Sequence, residues 1–398
     1  MLCTRGHAAL LAVTAAAALA ACGGARSDNS PSSGSNQGQE QTAPAPQPPP
    51  DVDPSIALGR TVYGKYCALC HGPEAKGYAA DNAPSLVSRT FLESADDTFI
   101  ARSIELGRPG TAMAAYGTDL NGPLGERDIK AVVAFLRDLG DVKTPIAAPA
   151  PMAGDATRGK ELYTTMCQQC HGDPAARSTA VHLANPTFLA LASDGFLRYA
   201  IVFGRPGTPM EPFASKIDGA QVADVITYLR SWSKPSEPKP PGPTPGIVDG
   251  PVVINPKGKA PSFTLRDDRF VPAAQVNDAL GKKQRMVIID ARPASDFVRE
   301  HIPGSISVPH YELDKLDTIP KDGTVVIAYC ACPHHASGIV VDELLKRGYK
   351  RAYVLDEGIL FWRKQGYAIA GTTAASGAAG VPAPPPMPHA HDHAGHSH

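Results

Sequence analysis

The chain has no long basic run and almost no net charge: 38 Lys and Arg stand against 39 Asp and Glu, for a formal charge of −1. That balance excludes the electrostatic footprint of a nucleic-acid binder, so no nucleic-acid partner is expected. It also lacks an apolar run of the ~20 residues needed to cross a bilayer at its start, where Ala8 to Ala20 falls short. Cysteine is sparse and is not scattered. Eight occur, at positions 3, 22, 67, 70, 167, 170, 330 and 332. Three of the four pairs sit at short spacings, which argues against a structural disulfide framework. What the chain does have is proline, 39 in all and much of it clustered, which marks linkers between two or three domains in 398 residues.

Arg5 followed by the apolar stretch Ala8 to Ala20 reads as an export signal over residues 1–22. Leu19-Ala20-Ala21-Cys22 resembles the lipobox of bacterial lipoproteins, which implies acylation of Cys22 and a lipid anchor on the periplasmic side of a bacterial membrane. Gly23 follows, so the inner and outer membranes both remain open. Residues 23–53 are too rich in Ser, Gly, Gln and Pro to bury a core and read as a flexible tether. Two further linkers, 141–154 and the Pro-rich 234–251, and a low-complexity tail, 372–398, leave three compact blocks: 54–140, 155–233 and 252–371. The tail ends in closely spaced histidines that suit loose metal binding or plain solvation.

The first two blocks are an internal repeat. Gly59, Tyr63 and Cys67 recur as Gly159, Tyr163 and Cys167. Gly107-Arg108-Pro109-Gly110-Thr111-Ala112-Met113 recurs as Gly204-Arg205-Pro206-Gly207-Thr208-Pro209-Met210. Each block closes on a helical pattern, with Ile129, Val132, Val133 and Leu136 on one face of the first. Asp53 and Asp155 are helix-capping candidates at the two starts.

Cys67-Ala-Leu-Cys70-His71 and Cys167-Gln-Gln-Cys170-His171 both read C-x-x-C-H. Two thiols three positions apart reach the two vinyl groups on one edge of a haem, and the adjacent histidine lies under the iron. Two covalently bound haem c groups are therefore expected. Elimination then suggests the sixth ligands. Met113 is the one methionine after the first motif, in a block with no second histidine, and Met210 occupies the same place in the repeat. The second block also holds His182, and Met166 abuts the attachment site. His/Met ligation fills the iron and raises its potential, which suits electron transfer.

On these motifs both blocks resemble class I cytochrome c domains, all-α bundles wrapped round a haem. The resemblance implies a helix crossing at Gly59 with Phe135 and at Gly159 with Tyr228. It also implies a carbonyl of Pro84, and more weakly of Pro186, accepting from the proximal imidazole. Arg108 and Arg205 are candidates for the haem propionates or for plain surface.

The third block alternates buried-strand runs, Val287 to Ile289 and Val325 to Ala328, with helical stretches, an α/β pattern with a parallel sheet. Cys330 stands between a strand and a helix, where anions bind and thiol pKa values fall. Ile289-Asp-Ala-Arg292, Glu300-His-Ile-Pro-Gly304 and Leu355 to Trp362 resemble a rhodanese domain. That likeness implies Cys330 as a persulfide carrier acting on a small sulfur species or a thiol acceptor. In the loop Cys330-Ala-Cys332-Pro-His334-His335, Pro333 and His335 depart from the family's glycine and arginine, and Cys332 adds a resolving thiol. The expected architecture is thus multidomain: two all-α cytochrome c domains, then an α/β rhodanese-like domain. Two functions are compatible with it. One is a periplasmic dihaem cytochrome whose third domain links sulfane-sulfur or thiol chemistry to the haems. The other is a plain electron carrier with a non-catalytic docking module. Either would exchange electrons with redox proteins of a respiratory chain.

Overall fold

The computed structural model describes residues 53–146, 153–233, 251–331 and 334–375. The signal segment with Cys22, nearly all of the tether, the linker centres, Cys332 and Pro333, and the histidine-rich tail lie outside the described residues.

Each of the first two blocks is a helical unit. In the first, helix Pro54–Tyr66 starts where the Asp53 carboxylate accepts from the Ser55 N–H, with proline at its first position. In the second, Asp155 caps helix Ala156–Met166 in the same way. The closing helices are Glu126–Leu139 and Gly219–Ser231. They cross the opening helices at the expected glycines. A Cβ on Gly59 would lie 2.0 Å from the Ala131 carbonyl oxygen, and one on Gly159 would lie 2.0 Å from that of Asp224. Only a residue without a side chain permits such an approach. Phe135 stacks obliquely on Tyr63 at 5.3 Å, and Tyr228 on Tyr163 at 5.7 Å.

A repeated arginine locks each unit. Arg137 reaches back to Asp97 and to the carbonyls of Leu92 and Ala95. Arg230 does the same with Asp194, Leu189 and Ala192. The two units share one apolar core. Its seam is aromatic: Phe99 stacks on Phe196 at 4.6 Å, and Phe91 meets Phe196 edge-on at 6.2 Å. An Arg177–Asp81 pair at 2.6 Å and a Tyr199–Glu93 hydrogen bond at 2.7 Å close the rim.

The third block is a five-stranded all-parallel sheet with helices on both faces. Its strands are β1 (Phe270–Val271), β2 (Met286–Asp290), β3 (Ile306–Ser307), β4 (Val325–Tyr329) and β5 (Ala352–Leu355), in the order β1-β5-β4-β2-β3. β2 and β4 are buried at every position, as central parallel strands covered on both faces must be. The helix predicted after Cys330 spans His335–Lys346. A charged network ties the strand ends together: Arg292 pairs with Asp290 at 2.7 Å, and Tyr329 donates to Asp290 at 2.8 Å.

Candidate haem and sulfur sites

Cys67 caps the one-turn helix Ala68–His71, and Cys167 caps Gln168–His171. The N–H of His71 donates to the Cys67 carbonyl at 3.0 Å, and that of His171 to the Cys167 carbonyl at 3.0 Å, so each C-x-x-C-H is a closed turn. His71 Nδ1 lies 2.9 Å from the Pro84 carbonyl. A carbonyl only accepts, so Nδ1 carries the proton and the Nε2 lone pair is left for a metal. His171 has the same arrangement at 2.8 Å, but its acceptor is the Val181 carbonyl. This corrects the expectation for Pro186, which instead occupies the first position of helix Pro186–Leu191. The loop after the second motif follows its own path, so the sequence-equivalent proline no longer faces the imidazole. Burial pushes both imidazoles below their ordinary range and keeps them neutral, as metal ligation requires.

The repeated glycine–arginine segment resolves into a self-bonded loop. The Arg108 N–H donates to the Met113 carbonyl at 2.7 Å, and Thr111 Oγ1 accepts from the Met113 N–H at 3.1 Å. Arg205, Thr208 and Met210 repeat both bonds at 2.7 and 3.2 Å. Gly107 and Gly204 open these loops at φ +61°, where a Cβ would strike the returning chain. The loop thus presents a methionine at a fixed place against the core. In the second unit that place is explicit. Met210, Cys167, Leu162, Ile201, Phe213, Ile217 and Val225 line one apolar pocket, which Met166 also borders. His182 is spent elsewhere, its Nε2 3.0 Å from the Asp173 carbonyl.

These residues fit a c-type haem. In the second unit Cys167 and Met210 line one apolar pocket, and both histidines are oriented by their Nδ1 bonds. Burial pushes the Cys67 thiol up to about 12 and that of Cys167 up to about 11, so both places favour an uncharged sulfur, such as a thioether. Arg108 and Arg205 lie at the seam between the units. Arg108 sits over Phe99 and Phe188, and Arg205 over Phe91 and Phe196. Among the described residues neither pairs with a carboxylate, and burial brings both down to about 10. A half-buried cation of this kind is stabilised by an anionic group such as a haem propionate.

In the third block Cys330 follows β4 and is 2% exposed. Its sulfur lies 3.2 Å from Ser337 Oγ, in the first turn of helix His335–Lys346, and its carbonyl accepts from the Ile359 N–H at 3.0 Å. His335 is exposed at the first position of that helix. Its neighbour His334 packs against β1 and reaches Asp356. It holds φ +74°, stacks on Phe270 at 4.0 Å, and places Nε2 2.9 Å from Asp356 Oδ1. The Asp356 carboxyl is held below its usual range: burial alone would raise it, but hydrogen bonds from Arg266 and His334 outweigh that. Sequence reasoning quoted His334 in its loop without giving it a role, and did not name Ser337. The signal for Ser337 was its place one turn into the helix that follows the cysteine. No described group of His, Cys, Asp and Glu side chains forms a further metal site.

Residues 54–136 and 154–229 each match the family described as cytochrome c oxidase, cbb3-type, subunit III, and residues 272–365 match the rhodanese-like domain. A cbb3-type cytochrome c oxidase subunit CcoP from Azospirillum sp. (strain B510) is 27% identical over 195 residues, 44% of this chain and 62% of the relative. A FixP subunit from Bradyrhizobium sp. (strain ORS 278) is 29% identical over 184 residues, 44% of this chain and 60% of the relative. The chain therefore spans about three-fifths of the length of these relatives. The solved structure of BH2092 protein from Bacillus halodurans is 26% identical, covers 26% of this chain and 78% of its own, and has a TM-score of 0.25. The chain carries two tandem cytochrome c domains of the cbb3-type oxidase subunit III family, followed by a rhodanese-like domain.

Proposed function

We propose that the protein is a dihaem electron-transfer cytochrome on the periplasmic side of a bacterial membrane, anchored through Cys22 and exchanging electrons with respiratory redox proteins. Cys67 and Cys70 would hold one haem, with His71 and Met113 on its iron. Cys167 and Cys170 would hold the other, with His171 and Met210. The observation that carries this reading is the apolar pocket lined by both Cys167 and Met210, together with the engaged Nδ1 of His171, which closes the same C-x-x-C-H turn as Cys167. His/Met pairs favour a high potential and leave no open coordination position for gas chemistry. Among the described residues no helix is long and apolar enough to cross a membrane. A haem assay tests the count: two low-spin haems per chain support it, and one haem or a high-spin oxidised spectrum refutes it.

The rhodanese-like domain adds a thiol site. Cys330 is its nucleophile, Cys332 its resolving thiol, and His335 a titratable group on the same loop. Closing two thiols into a disulfide forms one S–S bond and releases two electrons and two protons. Bound haems supply one-electron acceptors, and two of them match that number. Oxidising the haems of the protein in its dithiol form, with and without a persulfide donor, and following the haem spectrum tests the link, because attack of Cys332 on a Cys330 persulfide releases sulfide and no electrons. Faster reduction in wild type than in Cys330→Ser supports it. Equal rates with no persulfide on Cys330 leave the docking-module reading, which the deep burial of Cys330 favours.

A further inference from the structure

The two cytochrome units repeat in sequence, but their equivalent surfaces are not equally open. Around the second attachment site Met166, Gln169 and Cys170 are exposed; their counterparts Tyr66, Leu69 and Cys70 are half-buried. Beside the methionine loops the contrast sharpens. Pro209, Glu211 and Pro212 are exposed, whereas Ala112 is half-buried, and Ala114 and Ala115 are 1% and 5% exposed.

The cover is the rhodanese-like domain. Ser295 Oγ donates to the Ala115 carbonyl at 2.6 Å, and Tyr311 meets Tyr66 edge-on at 4.7 Å. Leu69, inside the first C-x-x-C-H, packs on the apolar layer that contains Cys330. Ala112 packs on that layer and also on the layer across the sheet, which contains Ala331. Successive residues of a strand face opposite sides of a sheet. One small side chain therefore touches both layers only beyond a strand end. Ser295 follows β2 and Tyr311 follows β3, so the end concerned is the carboxyl end, where Cys330 emerges from β4.

We propose that the loop carrying Met113 closes over the end of the sheet where Cys330 emerges, making the first cytochrome domain, and not the second, the partner of that thiol site. The idea deepens the function proposed above and takes from it that Met113 is an axial ligand. It accounts for the deep burial of Cys330 and for the difference in exposure between two otherwise matching loops. A small sulfur species would reach the thiol when this contact opens, and whatever occupies the thiol would be felt at the Met113 loop.

The test uses the full-length, haem-loaded protein in a Cys332→Ser background, with iodoacetamide as probe and mass spectrometry of Cys330 as readout. Ala112→Asp sets a charge between two apolar layers. It is expected to speed alkylation at least about fivefold by lowering the free energy of local opening. Pro209→Asp, at the matching exposed position, should leave the rate unchanged. Tyr311→Ala weakens the same contact from the other side and should accelerate alkylation if Ala112→Asp does not fold. Alkylated Cys330 should shift the potential of one haem, the one perturbed by Met113→Ala. Equal rates in wild type and in both junction variants, or equal acceleration by Pro209→Asp, would overturn the proposal. The alkylation rate reads closure whichever residue holds the iron, so a failed ligand assignment and a failed closure are separate results.

Discussion

Helix Pro54–Tyr66 contains two glycines that differ only in where they point, and alanine substitution separates them. At Gly59 a new Cβ meets the Ala131 carbonyl oxygen at 2.0 Å, the Ala131 carbonyl carbon at 2.5 Å and Phe135 Cβ at 2.8 Å. Two of these three atoms are backbone of the crossing helix, so relief requires the helices to part by about 1 Å. Overpacking usually costs about 1–3 kcal/mol, and a backbone clash belongs at or above the upper end of that range. At Gly64 nothing lies within 4 Å. Gly64→Ala should therefore show only the helix-propensity gain, about 0.5–1 kcal/mol. The two variants should differ by roughly 3–4 kcal/mol, on the order of 10 °C in Tm for two units that share one core. Thermal unfolding of the haem-loaded protein, followed by far-UV circular dichroism and the Soret band, measures this. If Gly59→Ala melts within a degree or two of Gly64→Ala, the helix crossing does not have the closeness described, and the argument from the repeated glycines fails with it.

Met113→Ala and Met210→Ala should each lower one haem potential and leave the other nearly unchanged, with about half of the methionine–iron charge-transfer absorbance lost in each; a variant with that band intact removes the assignment for its haem. Asp356→Asn should cost about 1–2 kcal/mol at neutral pH through its bonds to Arg266 and His334. Because the Asp356 carboxyl is held below its ordinary 3.8, that contribution is present above this value and is lost as pH falls through the lower folded value; urea melts at pH 7 and pH 3 should show the difference shrink. His310 is the opposite case. Burial pushes its imidazole below 6.5, and both ring nitrogens lack a partner within the described structure. The unfolded chain takes up the proton first, so stability should decline as pH drops below about 6.5, and less so in His310→Phe; identical pH profiles for the two proteins would exclude this role. Cys22→Ser should release the protein from the membrane fraction, and retention after the substitution would refute the lipid anchor.

Several features followed from the sequence alone because they are set by covalent spacing or by local periodicity. The repeated C-x-x-C-H turns and the parallel-sheet pattern of the third block rest on residues near one another in the chain, whereas the glycines at the helix crossings came from the family resemblance. Each reappears in the fold with the geometry that its residue types require. Contacts between distant segments were not legible in this way. Pro186 aligns with the expected carbonyl, yet the loop geometry hands the His171 bond to Val181. Arg137 and Arg230 are unremarkable in helical patterns until Asp97 and Asp194 are brought beside them. His334 and His335 are adjacent, and only the left-handed backbone at His334 decides which ring turns toward Asp356. The largest difference is between the two repeats themselves. Sequence gives them the same motifs in the same order, but a third domain covers one methionine loop and leaves the other open, since burial depends on what packs from elsewhere in the chain.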